Sequence, residues 1–163
     1  MITIATARAS SSAPPAAFFA RWADVATWPE WNSDTEWVRL DGPFATGSTG
    51  VLKPKGGPKV KFVIGSLVPG REFVDVSLLA GARLTFRHVV EAGPKDGTRI
   101  EVAVTMDGPL GWFWNRFLGK GLKASLQPDL DRLVTAAESA GEAVAPGTGG
   151  DVRGTSPSGG SPA

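Results

Sequence analysis

The chain has 163 residues and a formal net charge of +1, with 42% hydrophobic and 20% charged residues. These values are typical of one globular domain, and the balanced charge gives no general electrostatic reason to expect nucleic acid or an anionic membrane as a partner. Cysteine is absent, which excludes disulfides and zinc–thiolate sites, and a single histidine excludes a metal site built from several histidines of one chain. We therefore expect neither a metal nor a cofactor.

The beginning of the chain, MITIATARASSSAPPAAFF, has no basic segment before an apolar core, so it does not resemble a secretory signal. No stretch reaches the roughly 18 uncharged apolar residues that a membrane-spanning helix requires. The sequence therefore predicts a soluble, cytoplasmic protein with no integral membrane segment.

The first predicted elements are a strand and two short helices. Residues 2–10 alternate in polarity, which predicts a strand with Ile4 and Thr6 on the same face. A serine before Pro14 is typical of a helix N-cap followed by proline in the first turn. The apolar face of this helix carries Phe18, Trp22 and Val25. A second short helix or turn is predicted for TWPEWN, residues 27–32.

Six further strands follow, separated by glycine, proline and aspartate, and this even spacing predicts an antiparallel meander. Their sequences are EWVRL, TGVLKP, KVKFVIGSLV, REFVDVSLL, ARLTFRHVVE and TRIEVAVTM. The intervening residues 69–70, 80–81 and 94–97 have the composition of tight turns. The basic segment 53–61 is too short and too poor in aromatic residues for a nucleic-acid site, so we expect a solvated hairpin there.

The period changes to that of a long helix after Pro109, which would occupy the first turn behind a cap at Asp107 or Gly108. Pro128 should kink this helix or break it after Gln127. The helix is marked by Leu110, Phe113, Phe117, Leu118, Leu122, Leu126, Leu130, Leu133 and Ala137.

The order of elements predicts an α+β domain over residues 1–141, followed by a disordered tail rich in glycine, proline and serine over 142–163. A curved antiparallel sheet of about seven strands needs one face covered, and only the long C-terminal helix can cover it. Two short helices lie between strands 1 and 2.

Several stretches in this order resemble the START-like helix-grip (SRPBCC) superfamily, and in particular its polyketide cyclase/dehydrase and lipid-transport members. They are TWPEWN (27–32), LDGPFATGSTGVLKPKGG (40–57), VPGREFVDVS (68–77), RLTFRHVVE (83–91), GTRIEVAVTMDGP (97–109) and LDRLVTAAE (130–138). The resemblance covers about residues 2–140. It implies a cavity between sheet and helix for a lipid, polyketide or similar molecule. Some members cyclise or dehydrate polyketides and others only carry a ligand, so the fold does not settle the function.

The alternation of strand residues sorts the side chains into an inner and an outer face. Three strands give a clear assignment, and their inward residues are Val60, Phe62, Ile64, Leu84, Phe86, His88, Val90, Ile100, Val102, Val104 and Met106. Strand REFVDVSLL is ambiguous. If Ala80–Gly81 is a two-residue turn, Phe73, Asp75 and Ser77 face inward with His88; a turn one residue longer or shorter would turn Val74, Val76 and Leu78 inward.

The candidate catalytic residues are His88 and Asp75, because an inward carboxylate diagonal to the imidazole would orient it and favour its protonated form. A structural role for a lone inward histidine is the competing interpretation. Trp28 and Trp37 fit a packing role. The candidate ligand-binding residues are Trp31, Phe62, Ile64, Phe73, Phe86, His88, Val102, Val104, Phe113 and Phe117.

Three functions fit these patterns. The favoured one is binding of a hydrophobic small molecule, and the alternative is a cyclase or dehydratase that uses His88 with Asp75 for proton transfer. The third is an interaction module, in which one of Trp112 and Trp114 is exposed at an entrance or a homodimer contact. Whether the protein is an enzyme and whether it forms dimers both stay open at this level.

Overall fold

The computed structural model describes residues 1–142. Its first third contains strand β1 (Ile2–Ser11), helix α1 (Pro15–Ala23), a 3-10 turn (Val25–Thr27) and helix α2 (Trp28–Trp31). Six strands follow: β2 (Thr35–Asp41), β3 (Thr49–Pro54), β4 (Val60–Val68), β5 (Glu72–Leu79), β6 (Ala82–Ala92) and β7 (Thr98–Asp107). The long helix α3 spans Gly111–Glu142. The tail predicted for residues 142–163 lies outside the described residues, except for Glu142 at the end of α3.

The seven strands form one antiparallel sheet in the order β1-β7-β6-β5-β4-β3-β2. The chain therefore adds strands one after another from β2 to β7, and β1 closes the sheet beside β7. Helix α3 packs mainly across β1, with α1 and α2 against it. This arrangement confirms the predicted α+β helix-grip fold. Within the described residues, no helix is both long and apolar enough to cross a bilayer.

Strand β1 differs from the predicted alternation. The register between β1 and β7 shifts between Thr3 and Ala5, so Ile4 lies in a β-bulge. A bulge adds one residue to a strand and reverses the faces beyond it. Ile4 and Ala7 are consequently the buried residues, whereas Thr6 is exposed. The prediction that Ile4 and Thr6 share a face was wrong for this reason.

The helices differ from the prediction in three ways. Helix α1 has Pro14 at its N-cap without a side-chain hydrogen bond, and Ser11 Oγ instead accepts from the Ala13 N–H at 3.1 Å. Helix α3 begins at Gly111, later than predicted, and it continues through Pro128 without a break. Pro128 lacks an N–H, but it and Ala124 are both exposed, so water can satisfy the carbonyl that the proline leaves without a donor.

Candidate functional site

The turn between β5 and β6 decides which side chains face the interior. Leu79 pairs with Ala82 across the two-residue turn Ala80–Gly81, in which Gly81 has a φ of +67°. Phe73 therefore opposes His88, and Asp75 opposes Phe86. Phe73, Asp75, Ser77 and His88 are all buried. The structure confirms the two-residue turn between β5 and β6, and Asp75 therefore faces inward.

His88 lies between two aromatic rings. Its imidazole stacks on Phe73 with centroids 4.9 Å apart, and the Trp22 ring lies 5.2 Å away on α1. Its Nδ1 lies 3.2 Å from the Phe73 carbonyl oxygen. A carbonyl only accepts, so Nδ1 carries the proton and Nε2 of the neutral ring is left as an acceptor. Burial lowers the pKa of His88 to about 4, so the ring is neutral at physiological pH.

Asp75 lies on the inner face with apolar neighbours on both sides, since it pairs with Ile64 on β4 and with Phe86 on β6. Its exposure is only 6%. Burial raises the pKa of Asp75 to about 7, against a smaller opposing effect from its own backbone N–H. A carboxyl group with this pKa exchanges its proton near neutral pH, which is the property a general acid or base needs.

Asp75 and His88 do not form the predicted pair. No hydrogen bond or ion pair joins their side chains in the part of the chain that the structure describes, and the Phe73 carbonyl takes the place expected for the carboxylate. The expectation that Asp75 orients the imidazole and favours its charged form was therefore wrong. Burial is the stronger influence on both groups, and it favours a neutral imidazole and a protonated carboxyl.

Two buried indole groups add unpaired donors to this interior. Trp22 is fully buried and Trp31 is 7% exposed, yet neither Nε1–H has a hydrogen-bond acceptor among the described residues. Trp28 is different, since its Nε1–H donates to the Trp22 carbonyl at 3.0 Å. Buried polar groups in folded proteins are nearly always paired, so unpaired donors inside a core are exceptions that need a reason.

Most of the predicted ligand-binding residues lie in the interior. Phe86 is half-buried, and the buried ones are Trp31, Phe62, Ile64, Phe73, His88, Val102 and Val104. Trp22 was missed by the sequence reasoning as a site residue, although its helical spacing from Phe18 marked it as inward. Around Phe73, the rings of Trp22, Trp28 and Phe44 pack within 6 Å of its centroid.

Phe113 and Phe117 are the exception, and their predicted orientation toward the sheet was wrong. They are 39% and 65% exposed. The helix instead turns Trp114, Leu118 and Leu122 toward the sheet, with the Trp114 Nε1–H donating to the Ala80 carbonyl at 2.8 Å. Both sets are spaced by four residues, so the sequence could not choose between them. In the structure, the hydrogen bond of the Trp114 indole and the burial of Leu126 place Trp114, Leu118 and Leu122 on the inner side of the helix.

Aromatic rings of α1, α2 and the sheet contact one another in the region where the resemblance implied a cavity. Two of the concavities in the described part of the chain lie elsewhere. One lies on the outer face of the sheet and is lined by paired charges such as Arg87–Glu72 and Arg8–Glu101. The other lies beside the first turns of α3. Neither has Asp75 or His88 in its lining.

Comparison with known proteins places this geometry in a family. The sequence profile of a family described as "Polyketide cyclase / dehydrase and lipid transport" matches residues 1–138. The family resemblance read from the sequence is therefore confirmed. A comparison with curated protein sequences found no match.

Solved structures share the fold at low sequence identity. A protein from Mesorhizobium loti superposes with a TM-score of 0.66 at 15% identity, over 83% of this chain and 96% of that one. The di-domain ARO/CYC protein StfQ of the steffimycin biosynthetic pathway gives 0.66 at 12% identity, over 85% of this chain and 51% of that one. Ara h 8.0201 gives 0.58 at 17% identity, over 85% and 97%. At these identities the likeness is one of fold alone.

Proposed function

Since the chain belongs to the polyketide cyclase/dehydrase and lipid-transport family, we propose that it binds an apolar small molecule carrying carbonyl or hydroxyl oxygens on the inner face of its sheet. The site comprises the sheet residues around Asp75 and His88 together with Trp22 and Trp31 on the helices above them.

The observation that carries this proposal is a set of buried polar atoms without partners. The indole N–H groups of Trp22 and Trp31 have no acceptor within the described chain. His88 and Asp75 lie on the same face of the sheet and are themselves buried. Each buried indole N–H without an acceptor costs about 1–3 kcal/mol of stability. A core that served only for folding would avoid this cost, whereas a bound ligand would supply the missing partners.

The chemistry of these groups defines the ligand class. Two indole donors and a protonated Asp75 carboxyl need acceptor oxygens, while His88 Nε2 accepts from a hydroxyl. The surrounding residues are aromatic or aliphatic, so the rest of the ligand is apolar. A polyketide, a phenolic compound or an oxygenated lipid has this combination. Asp75 and His88 are only 6% and 5% exposed, so entry of the ligand requires that partly buried rings such as Phe44 and Phe86 move aside.

A matched pair of probes tests the proposal. Anthraquinone and anthracene have the same ring skeleton and differ in two carbonyl oxygens. Titration followed by tryptophan quenching should give at least about tenfold tighter binding of anthraquinone, since each neutral hydrogen bond contributes about 1 kcal/mol. Trp22→Phe and Trp31→Phe keep an aromatic ring but remove the donor, and each should reduce this preference.

Trp37→Phe is the matched control, because Trp37 lies half-buried on β2 and its ring contacts Lys59 on the surface. It should leave the preference unchanged. Equal affinity for the two probes, or a preference that survives both donor-removing variants, would contradict the proposal. Far-UV circular dichroism of each variant separates a lost donor from a lost fold.

A second candidate function is a dehydratase or cyclase, and the pKa of Asp75 near 7 favours it. The Asp75 carboxylate would remove the α-proton of a β-hydroxy ketone and return it to the departing hydroxyl, so that an enone and one water form and Asp75 is regenerated. The indole donors would hold the carbonyl oxygen as it gains charge. His88, neutral at this pH, would orient the substrate hydroxyl through Nε2.

An assay with an aryl-substituted β-hydroxy ketone tests this second function. Mass spectrometry detects the loss of water from this substrate. Asp75→Asn should reduce the rate by roughly 10²–10⁴-fold, the usual contribution of general acid–base catalysis, while anthraquinone still binds. A wild-type rate in Asp75→Asn would exclude Asp75 as the proton carrier. Absence of turnover together with selective anthraquinone binding would leave the binding function alone.

A further inference from the structure

The first turns of α3 present three aromatic rings to solvent. Trp112 and Phe117 are each 65% exposed, and Phe113 is 39% exposed. Their rings contact each other, with centroids 6.1 Å apart between Trp112 and Phe113 and 4.8 Å between Phe113 and Phe117. We refer to these three residues as the α3 patch. Contiguous exposed aromatic surface of this kind is rare on soluble domains unless it meets a partner.

Three cations lie beside the α3 patch on the same side of the helix. At about 100° per residue, Arg116, Lys120 and Lys123 fall within the same arc of roughly 140° as the three rings, opposite the inward Leu118 and Leu122. None of the three cations forms an ion pair within the described chain, and residues 108–128 contain no acidic side chain. Arg116, Lys120 and Lys123 also line one concavity together with Trp112.

From this arrangement we propose that the α3 patch and its three cations dock onto the surface of a lipid bilayer that contains anionic lipids. Tryptophan and phenylalanine insert at the level of the headgroups, and neighbouring lysine and arginine side chains contact the lipid phosphates. The balanced net charge of the whole chain gives no long-range attraction, so a local cluster has to provide the electrostatic contribution.

A second copy of this chain fits the patch poorly. A twofold contact would bring the three cations of each copy toward those of the other, with no acidic residue in either patch to compensate. An anionic bilayer instead matches both the cations and the rings. Docking does not depend on the ligand proposed above, because none of these residues lies on the inner face of the sheet.

Vesicle sedimentation of the full chain tests the proposal. Vesicles of phosphatidylcholine with about one-third phosphatidylglycerol should bind the protein at least tenfold more strongly than pure phosphatidylcholine, and raising the salt should weaken binding because it screens the lysine and arginine charges. Tryptophan emission should shift to the blue on binding, and Trp112→Phe should remove most of the shift, since Trp112 is the most exposed of the six tryptophans.

Two pairs of variants locate the surface. The triple variant Arg116→Gln, Lys120→Gln, Lys123→Gln should lose on the order of a hundredfold in vesicle affinity. Its control, Lys55→Gln, Lys59→Gln, Lys61→Gln, removes the same charge from the exposed β3–β4 hairpin and should change binding little. Phe117→Ser should weaken binding, whereas Leu78→Ser, at an exposed apolar position on β5, should not.

Several results would overturn the proposal. They are equal binding to the two vesicle types, equal losses in the two charge variants, and unchanged binding in Phe117→Ser. A dimer in sedimentation equilibrium that Phe117→Ser dissociates would assign the patch to a second copy instead. Circular dichroism and thermal unfolding verify that each variant is folded.

Discussion

The two halves of α3 have opposite relations to the rest of the molecule. In the C-terminal half, Leu126, Leu130, Leu133 and Ala137 are buried. Polar contacts also hold this half in place: Glu138 accepts from Ser11 Oγ at 2.8 Å, and Gln127 Nε2 donates to the Arg8 carbonyl at 3.0 Å. The N-terminal half exposes Trp112, Phe113 and Phe117, and its side-chain anchor is the Trp114 indole on Ala80.

The contrast shows that the two halves of one continuous helix are constrained to different degrees. The C-terminal half closes the core over β1, α1 and α2, so its residues are constrained by packing. The N-terminal half contributes only Trp114, Leu118 and Leu122 to the interior as partly buried residues, and its outer side is free to meet a partner. Substitutions in the two halves should therefore differ strongly in their effect on stability.

The largest difference is expected between Leu133→Ala and Phe117→Ala. Leu133 is 1% exposed, so its truncation should lower the free energy of unfolding by about 4 kcal/mol through lost burial and a residual cavity. Phe117→Ala should change it by less than about 0.5 kcal/mol. Urea denaturation measures both. A similar loss in the two variants would mean that the halves are equally packed.

The next effect concerns the buried Asp75 and His88 on the inner face of the sheet and depends on pH. Folding raises the pKa of Asp75 from 3.8 to about 7, so the folded state binds more protons in this range and the free energy of unfolding falls as pH rises. Folding lowers the pKa of His88 from 6.5 to about 4, so the unfolded state binds more protons and stability rises with pH. Each slope approaches about 1.4 kcal/mol per pH unit, and they oppose each other.

The variants Asp75→Asn and His88→Gln separate these two slopes. Relative to the wild type, Asp75→Asn should gain stability as pH rises from 4 to 7, because the cost of ionising a buried carboxyl disappears. His88→Gln should lose stability relative to the wild type as pH rises from 4 to 6.5, because the wild type alone gains stability from the titration of His88. Urea unfolding at several pH values provides the data. Parallel profiles for wild type and both variants would show that these two groups are accessible to water.

A smaller effect is expected at the polar anchor of the C-terminal half. Asp129 accepts hydrogen bonds from Ser33 Oγ at 2.8 Å and from the Ser33 N–H at 3.2 Å, and its side chain is 13% exposed. Asp129→Ala should therefore cost about 1–2 kcal/mol. Asp131→Ala removes a more exposed carboxylate that accepts from Gln127, and it should cost clearly less. Equal thermal shifts for the two would argue against this anchor.

The smallest effect is expected in the N-terminal half, where two glycines lie inside α3. A Cβ at Gly121 meets open space, so Gly121→Ala should stabilise the protein by about 0.5–1 kcal/mol through the higher helix propensity of alanine. A Cβ at Gly119 would collide with the buried Asn115 Oδ1, so Gly119→Ala should lose that gain. Thermal unfolding compares the two. Equal stabilisation would show that Asn115 moves freely.

The sequence predicted the architecture well because its signals were local. Alternation and turn residues marked all seven strands, and a four-residue period marked the long helix. The inward position of Asp75 followed from the length of a single turn, and the structure has that turn. Errors arose where local patterns allow two answers, as at the bulge of Ile4, and of the kink or break predicted at Pro128 the break does not occur.

The candidate site was only partly predictable. His88 and Asp75 could be identified as inward polar residues, but their protonation depends on how completely they are buried, which strand alternation does not specify. Trp22 and Phe73 enclose the imidazole from two elements far apart in the chain. Whether the Trp22 and Trp31 indoles lack acceptors depends on the positions of all surrounding polar atoms, and a sequence pattern does not specify these positions.

The sequence by itself determined the order of the elements, the family and the inner face of the sheet, because each rests on the spacing of residues along a single strand or helix. The tertiary structure decided how α3 is rotated, and hence that Trp114 and not Phe113 or Phe117 faces inward. It also decided that Asp75 and His88 are separately buried groups and not an ion pair. The physical reason is that rotation and desolvation depend on contacts between elements, whereas periodicity is a property of each element alone.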